Sequence, residues 1–158
     1  CQKSEIPPWI SSWMIWESCQ LNPMNKALKK LVRQRANDCC EYCRAQLRYS
    51  PDSFSIEHIL PKSKEGTDDP ENLAYSCQGC NSHKFTATEA RDPLSNALFP
   101  LYNPRKDTWD EHFLWSEDFT HIVGISPTGR ATVERLKLNR SSLLNLRAVL
   151  VELKKHPV

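Results

Sequence analysis

Apolar residues recur along this chain with two different periods. Over residues 25–38, "NKALKKLVRQRAND", Leu28, Leu31 and Val32 fall three and four apart among lysines and arginines. That is the spacing of one face of a basic amphipathic helix, which Asn37-Asp38 would close. Over residues 54–60 the period is two. Phe54, Ile56, His58 and Leu60 alternate with Ser55, Glu57 and Ile59, which predicts a strand. The stretch "KEGTDDPENL" that follows holds Gly66 and Pro70 and reads as a turn-rich loop. "NSHKFTATEA" is expected to open a helix with Asn81 near its N-cap, and "DPLSNALFPLYNPRKDTW" is a proline-punctuated connector. "HFLWSED" and "THIVGIS" predict two strands joined by a short acidic turn. Residues 128–155 return to helical spacing, with a break expected near Leu138–Ser141.

Residues 1–23 read differently. They open with Cys1, and Trp9, Trp13 and Trp16 cluster behind Pro7-Pro8 at spacings that would align them on one helical face. A docking helix is one reading. The favoured one is a flexible leader upstream of a natural start at Met24.

Composition sets limits on the rest. A chain of 158 residues is the size of one domain with room for a modest satellite. Its hydrophobic fraction of 39% and mean hydropathy of −0.58 predict a sparse core that needs help from a metal or from packed helices. The net charge of +2 does not itself argue for nucleic acid. Its distribution says more: residues 24–50 carry seven Lys/Arg against two acids, and residues 130–155 carry the same, around an acidic stretch at 105–121. Two basic segments of this kind fit a polyanion footprint as well as they fit solvated helix faces. No run of 18 apolar residues exists to span a membrane and no secretory signal is visible, so a cytoplasmic protein is expected.

Cysteine spacing carries the first chemistry. Four of the seven cysteines form two Cys-x-x-Cys pairs, Cys40/Cys43 and Cys77/Cys80. In a chain without a secretion signal this favours four zinc thiolates over disulfides, and no βαβ unit is present for a thioredoxin-like redox pair. The 33 residues between the pairs exceed the roughly 15–20 of a plain zinc ribbon, so something longer than a hairpin is held there. Cys39 reads as a spare buried thiol, and Cys1 and Cys19 lie in the leader.

Singly, His58 is a half-buried strand histidine, Glu57 a solvated acid, Asn72 a turn residue and Asn81 a helix cap. Together they form a pattern: a Cys pair, then "IEHILPKSKEGTDDPENL", then "CQGCNSHK". Over residues 36–85 this resembles the HNH endonuclease family, in the form braced by a four-cysteine zinc. From "RQRANDCCEYC" to "VERLKLN" the chain is also similar to small stand-alone bacterial HNH proteins common in cyanobacteria. The resemblance implies an α+β protein. Its core would be a ββα-metal (His-Me finger) unit over residues 24–98, and a β-hairpin and helix extension over 99–158 would pack on that core. It further implies His58 as general base, Asn72 as the middle asparagine, and Glu57 with Asn81 holding one Mg²⁺ or Mn²⁺. Glu57 stands where most members have Asp. Lys84 matches a family lysine, and His83 is either a spare ligand or phosphate contact or a plain surface residue.

The residue types suit phosphodiester hydrolysis independently. Mg²⁺ stabilises charge but does little to deprotonate its water, so a separate base with a pKa near 6.5 is well matched. Adjacent strand residues point to opposite faces, however, so Glu57 and His58 share a site only if the chain twists there. The partner expected is DNA, met by phosphate contacts from Arg33, Arg35, Lys62, Lys64, Lys84 and the basic C-terminal helix, with no small-molecule cofactor. The alternatives are a zinc module that binds nucleic acid without cutting and a zinc-braced protein adaptor.

Overall fold

The computed structural model describes residues 26–158; the expectations for the leader and its tryptophans lie outside the described residues. The first helix runs Lys26–Arg35. It packs a line four residues apart, Leu28, Val32 and Ala36, against Leu73, Tyr75 and Ile56. Leu31, expected to face inward, is 48% exposed. A helix this short touches its neighbour along one narrow stripe, and Leu31 lies a full residue rotation off it.

Strand β1, Ser55–His58, pairs antiparallel with β2, Leu73–Ser76, and His58 stands opposite Leu73. The predicted strand was longer at both ends. After His58 the backbone ladder ends with the Ile59 amide on the Asn72 carbonyl at 2.9 Å, and the Leu60 amide turns to the Asn72 side chain. Pro61 then has no amide to give, and the chain folds into a single 3-10 turn at Lys62–Lys64. Gly66 closes this turn against the backbone of Leu60, where an added Cβ would come within 1.7 Å of the carbonyl oxygen.

A short helix, Gln78–Lys84, follows β2. It begins three residues before Asn81, with Cys77 at the N-cap position, so Asn81 lies inside the helix instead of at its start. The helix expected to continue from here is instead strand β3, Glu89–Arg91, paired with β4, Leu98–Pro100, which falls inside the predicted connector. The Asp92 side chain accepts from the amides of Leu94 and Ser95, and Pro93 supports the turn that reverses the chain.

The later elements follow their pattern. Strand β5, Phe113–Trp115, pairs with β6, Ile122–Gly124. Helix Pro127–Leu136 starts at Ser126, whose hydroxyl accepts from the Gly129 amide at 2.9 Å, with Pro127 in the first turn. Lys137 ends it in a left-handed conformation, and the last helix runs Ser141–Glu152. One apolar cluster joins the cysteines and Tyr42 to Tyr102, Trp109, Phe113, Ile122, Leu136 and Leu143. Among the described residues the architecture is therefore a set of helices with three two-stranded sheets, and the cysteine pairs lie inside the main core. Among the described residues no helix is long and apolar enough to cross a membrane.

Candidate active site and metal centre

The four cysteines converge from two elements. Cys40 and Cys43 sit on the turn before β1, and Cys77 and Cys80 sit at the start of the Gln78–Lys84 helix. All four are buried, and their sulfurs lie within 4.8 Å of one another. Cys43 Sγ and Cys77 Sγ are 3.7 Å apart. A tetrahedral zinc with Zn–S bonds of about 2.3 Å would set its sulfurs about 3.8 Å apart, so the cluster fits that ion. It is positioned to bind a metal, in keeping with a structural zinc. Burial pushes the Cys40 thiol well up, while hydrogen bonds from the other three thiols hold Cys77 far below its ordinary value. The half-buried Cys39 stays outside the cluster, its sulfur turned to the Asn37 carbonyl at 3.4 Å.

Two arginines complete this centre. Arg140 donates from Nη2 to Cys77 Sγ at 3.2 Å and from Nη1 to Cys80 Sγ at 3.7 Å. It can lie this close because residue 79 is glycine: a Cβ there would meet the guanidinium at 2.5 Å. Arg147, 3% exposed, bonds the carbonyls of Cys43 and Leu138. Burial lowers its pKa, and the nearby charges of Cys43 and Cys80 act the other way. A divalent ion held by the four thiolates would keep two net negative charges, and the buried Arg147 and half-buried Arg140 would supply two positive ones beside it. Both arginines belong to the basic segment 130–155. The helical spacing of the segment gave no sign that its charges turn inward.

The second cluster surrounds His58. Its Nε2 lies 2.7 Å from Asp68 Oδ1, and Lys62 Nζ donates to Asp68 Oδ2 at 2.9 Å. These two donors hold the Asp68 carboxyl below its ordinary value. An ionised carboxylate only accepts, so Nε2 carries the proton and the lone pair of the neutral ring is on Nδ1. The imidazole is 19% exposed. Asn72 secures the loop between His58 and Asp68. It accepts from the Leu60 amide at 2.8 Å and donates to the carbonyls of Leu60 and Thr67 at 3.0 and 2.9 Å. Asp68 was not singled out in the sequence, where it is one of two aspartates in a turn-rich stretch.

Glu57 does not share this cluster. It points to the opposite face of β1, 4% exposed, where Tyr42 donates to Oε2 at 2.6 Å and Lys84 is ion-paired with Oε1. Burial pushes the Glu57 carboxyl up, and Lys84 and Tyr42 pull it part of the way back. Burial, with the Glu57 charge beside it, also keeps the Tyr42 phenol protonated as a donor. Asn81 is half-exposed on the helix face. A hydrated Mg²⁺ or Mn²⁺ held by Glu57 and Asn81 therefore does not fit this arrangement, because both Glu57 oxygens are engaged out of reach of solvent. His83 is exposed.

The expected phosphate contacts divide in the same way. Lys62 and Lys64 are exposed, and Arg33 is 53% exposed with Asp38 as its partner. Arg35 turns inward to the Leu73 carbonyl, and burial lowers its pKa. Lys84 is 1% exposed. Its ammonium meets Glu57 and the carbonyls of His58 and Ile59 at 3.1 and 3.0 Å, so all three of its protons have acceptors and none is left for a phosphate. Its position three residues after Asn81 suggested a surface lysine, and only the burial shows otherwise.

Comparison with known proteins bears on the same segment. The family model for HNH endonuclease matches residues 40–86. The chain is also 28% identical over 116 residues to the Septu protein PtuB of Bacillus thuringiensis, an alignment covering 72% of this chain and 41% of that protein. The chain thus spans under half the length of this relative. No solved structure matches it. The matched stretch, residues 40–86, carries both cysteine pairs, His58, Asn72 and Asn81, and is similar to the HNH endonuclease family.

Proposed function

We propose that this chain is an endonuclease that hydrolyses phosphodiester bonds in DNA, with His58 as the general base. The observation that carries the reading is the His58–Asp68 contact inside the HNH segment. Asp68 fixes one ring nitrogen, and the other is left with its lone pair for a water molecule attacking phosphorus. Asp68 is a positioning residue, and Asn72 keeps both groups in place through its three bonds to the loop. Lys62, 61% exposed beside them, brings positive charge to where a phosphate would approach. The cysteine centre is structural and holds the loop and the Gln78–Lys84 helix at fixed distance.

A second reading is a zinc-braced module that binds nucleic acid without cutting it. The closed state of Glu57 favours it, because the residues expected to hold a catalytic ion do not present an open pair of oxygens. A plasmid-nicking assay in Mg²⁺, Mn²⁺ and EDTA, with zinc content measured in each sample, separates the two. Nicking by the wild-type chain supports the nuclease. If EDTA stops it while zinc stays bound, a second ion takes part and Glu57 must open. Binding without nicking under every condition supports the module.

A further inference from the structure

Phe85 ends the Gln78–Lys84 helix in a conformation that is unfavourable in two respects. Its φ is 51° and its ψ −120°, a combination that residues with side chains adopt only when their surroundings impose it. Its ring is 73% exposed, so folding recovers little from burying it. The constraint comes from both sides of the residue. The Phe85 amide bonds the Asn81 carbonyl at 2.9 Å, and the Lys84 carbonyl accepts from the Ala87 amide at 2.9 Å and from Arg135 at 3.4 Å. Lys84 itself is anchored in the interior. The backbone is thereby fixed, and the ring is held outward.

The surroundings of that ring are specific. The Lys84 ammonium touches the carbonyls of His58 and Ile59, which ties the helix end that carries Phe85 to strand β1. The residues that follow, from Thr86 onward, line an open groove of about 640 Å³ with Lys64, Arg91 and Arg135, next to Glu89 and a Lys137–Glu134 ion pair. Lys64 Nζ bonds Thr88 Oγ1 at 3.0 Å, joining the turn after His58 to the segment after Phe85. Leu94, 77% exposed at the β3–β4 turn, has no such constraint, and single exposed apolar residues are ordinary.

We infer that Phe85 is a base-stacking residue: its ring lies against a nucleobase of the DNA while Lys64, Arg91 and Arg135 of the adjoining groove follow the strand's phosphates. This rests on the nuclease reading and adds a contact that sets how DNA is held beside His58. Every base has a π-face, so the contact raises affinity with little sequence preference.

The test measures DNA binding by the full chain in a His58→Ala background, so that cleavage does not interfere. Fluorescence anisotropy with a 20-mer duplex and with its single strand gives the affinity. Phe85→Ala should weaken binding by about 5- to 150-fold, the range for loss of one stacked base. Phe85→Trp should restore it, and the salt slope should not change because no phosphate contact is lost. Phe85→Gly should bind as weakly as Phe85→Ala while melting no lower than the parent, since glycine adopts this backbone freely. Equal binding by the parent and Phe85→Ala overturns the stacking role alone. A fall in melting temperature for Phe85→Gly also overturns it, because the ring would then be packing. Absence of DNA binding by the parent overturns both this role and the nuclease reading.

Discussion

Lys84 is ion-paired with Glu57 in the interior, under the floor of β1, while His58 on the next residue faces the loop. The dipeptide Glu57-His58 is thus divided by the strand between a buried charge pair and a candidate catalytic group. Removing one partner of such a pair leaves the other charge uncompensated. Lys84→Met should therefore destabilise the protein by about 3–5 kcal/mol, measured by denaturant unfolding. It should leave the salt dependence of DNA binding by the remaining folded protein unchanged. A surface phosphate contact would do the reverse, with stability kept and the log–log salt slope reduced by about one.

Arg140 on the cysteine centre gives a second expectation. Partners outside the ligand shell typically change metal affinity by about 10–100-fold. Arg140→Met should release zinc to a competing chelator at correspondingly lower chelator concentration. Arg140→Lys should recover only part of the loss, because one ammonium does not span two sulfurs. Zinc retention equal to wild type in Arg140→Met would show that the guanidinium does not stabilise the thiolates.

Acid stability should follow Asp92. Its carboxylate is buried and accepts from Arg130 Nε and Nη2 at 2.7 and 2.9 Å, and Arg130 holds it well below its ordinary value. A group whose folded-state pKa is depressed adds stability above its unfolded pKa of about 3.9 and loses it as pH falls further. The melting temperature should therefore decline below about pH 4. Asp92→Asn should melt lower at neutral pH and show a shallower acid decline. An unchanged acid limb in that variant would remove Asp92 from the account.

Much of this fold is readable from local pattern, and the misses share a cause. The β5–β6 pair and the two C-terminal helices follow their spacing, because alternation, Ser126-Pro127 and the break at Lys137 are local signals. The cysteine cluster is readable from two short spacings. What spacing does not carry is the direction in which a long charged side chain turns. Lys84, Arg35, Arg140 and Arg147 all look like surface cations in the sequence. Each is turned inward by an acceptor distant in the chain: Glu57, the Leu73 carbonyl, the Cys77 sulfur and the Cys43 carbonyl. Asp68 escaped notice for the same reason, since its role depends on the loop that Asn72 closes. The β3–β4 pair does not show in the pattern because Glu89-Ala90-Arg91 offers one small apolar residue and Leu98-Phe99-Pro100 offers no polar one, so neither carries an inward-facing alternation.

The central claim is that His58 acts as the base in phosphodiester hydrolysis, and the rate of plasmid nicking by His58→Ala tests it most directly. Zinc content, melting temperature and DNA affinity are measured on the same preparation. The account predicts a loss of about 10²–10⁴-fold in cleavage rate, the usual contribution of a positioned base, with those three properties close to wild type. Asp68→Ala should lose less, since it orients the ring without touching the reacting water. A folded, zinc-bound His58→Ala protein that nicks DNA at the wild-type rate would contradict the account.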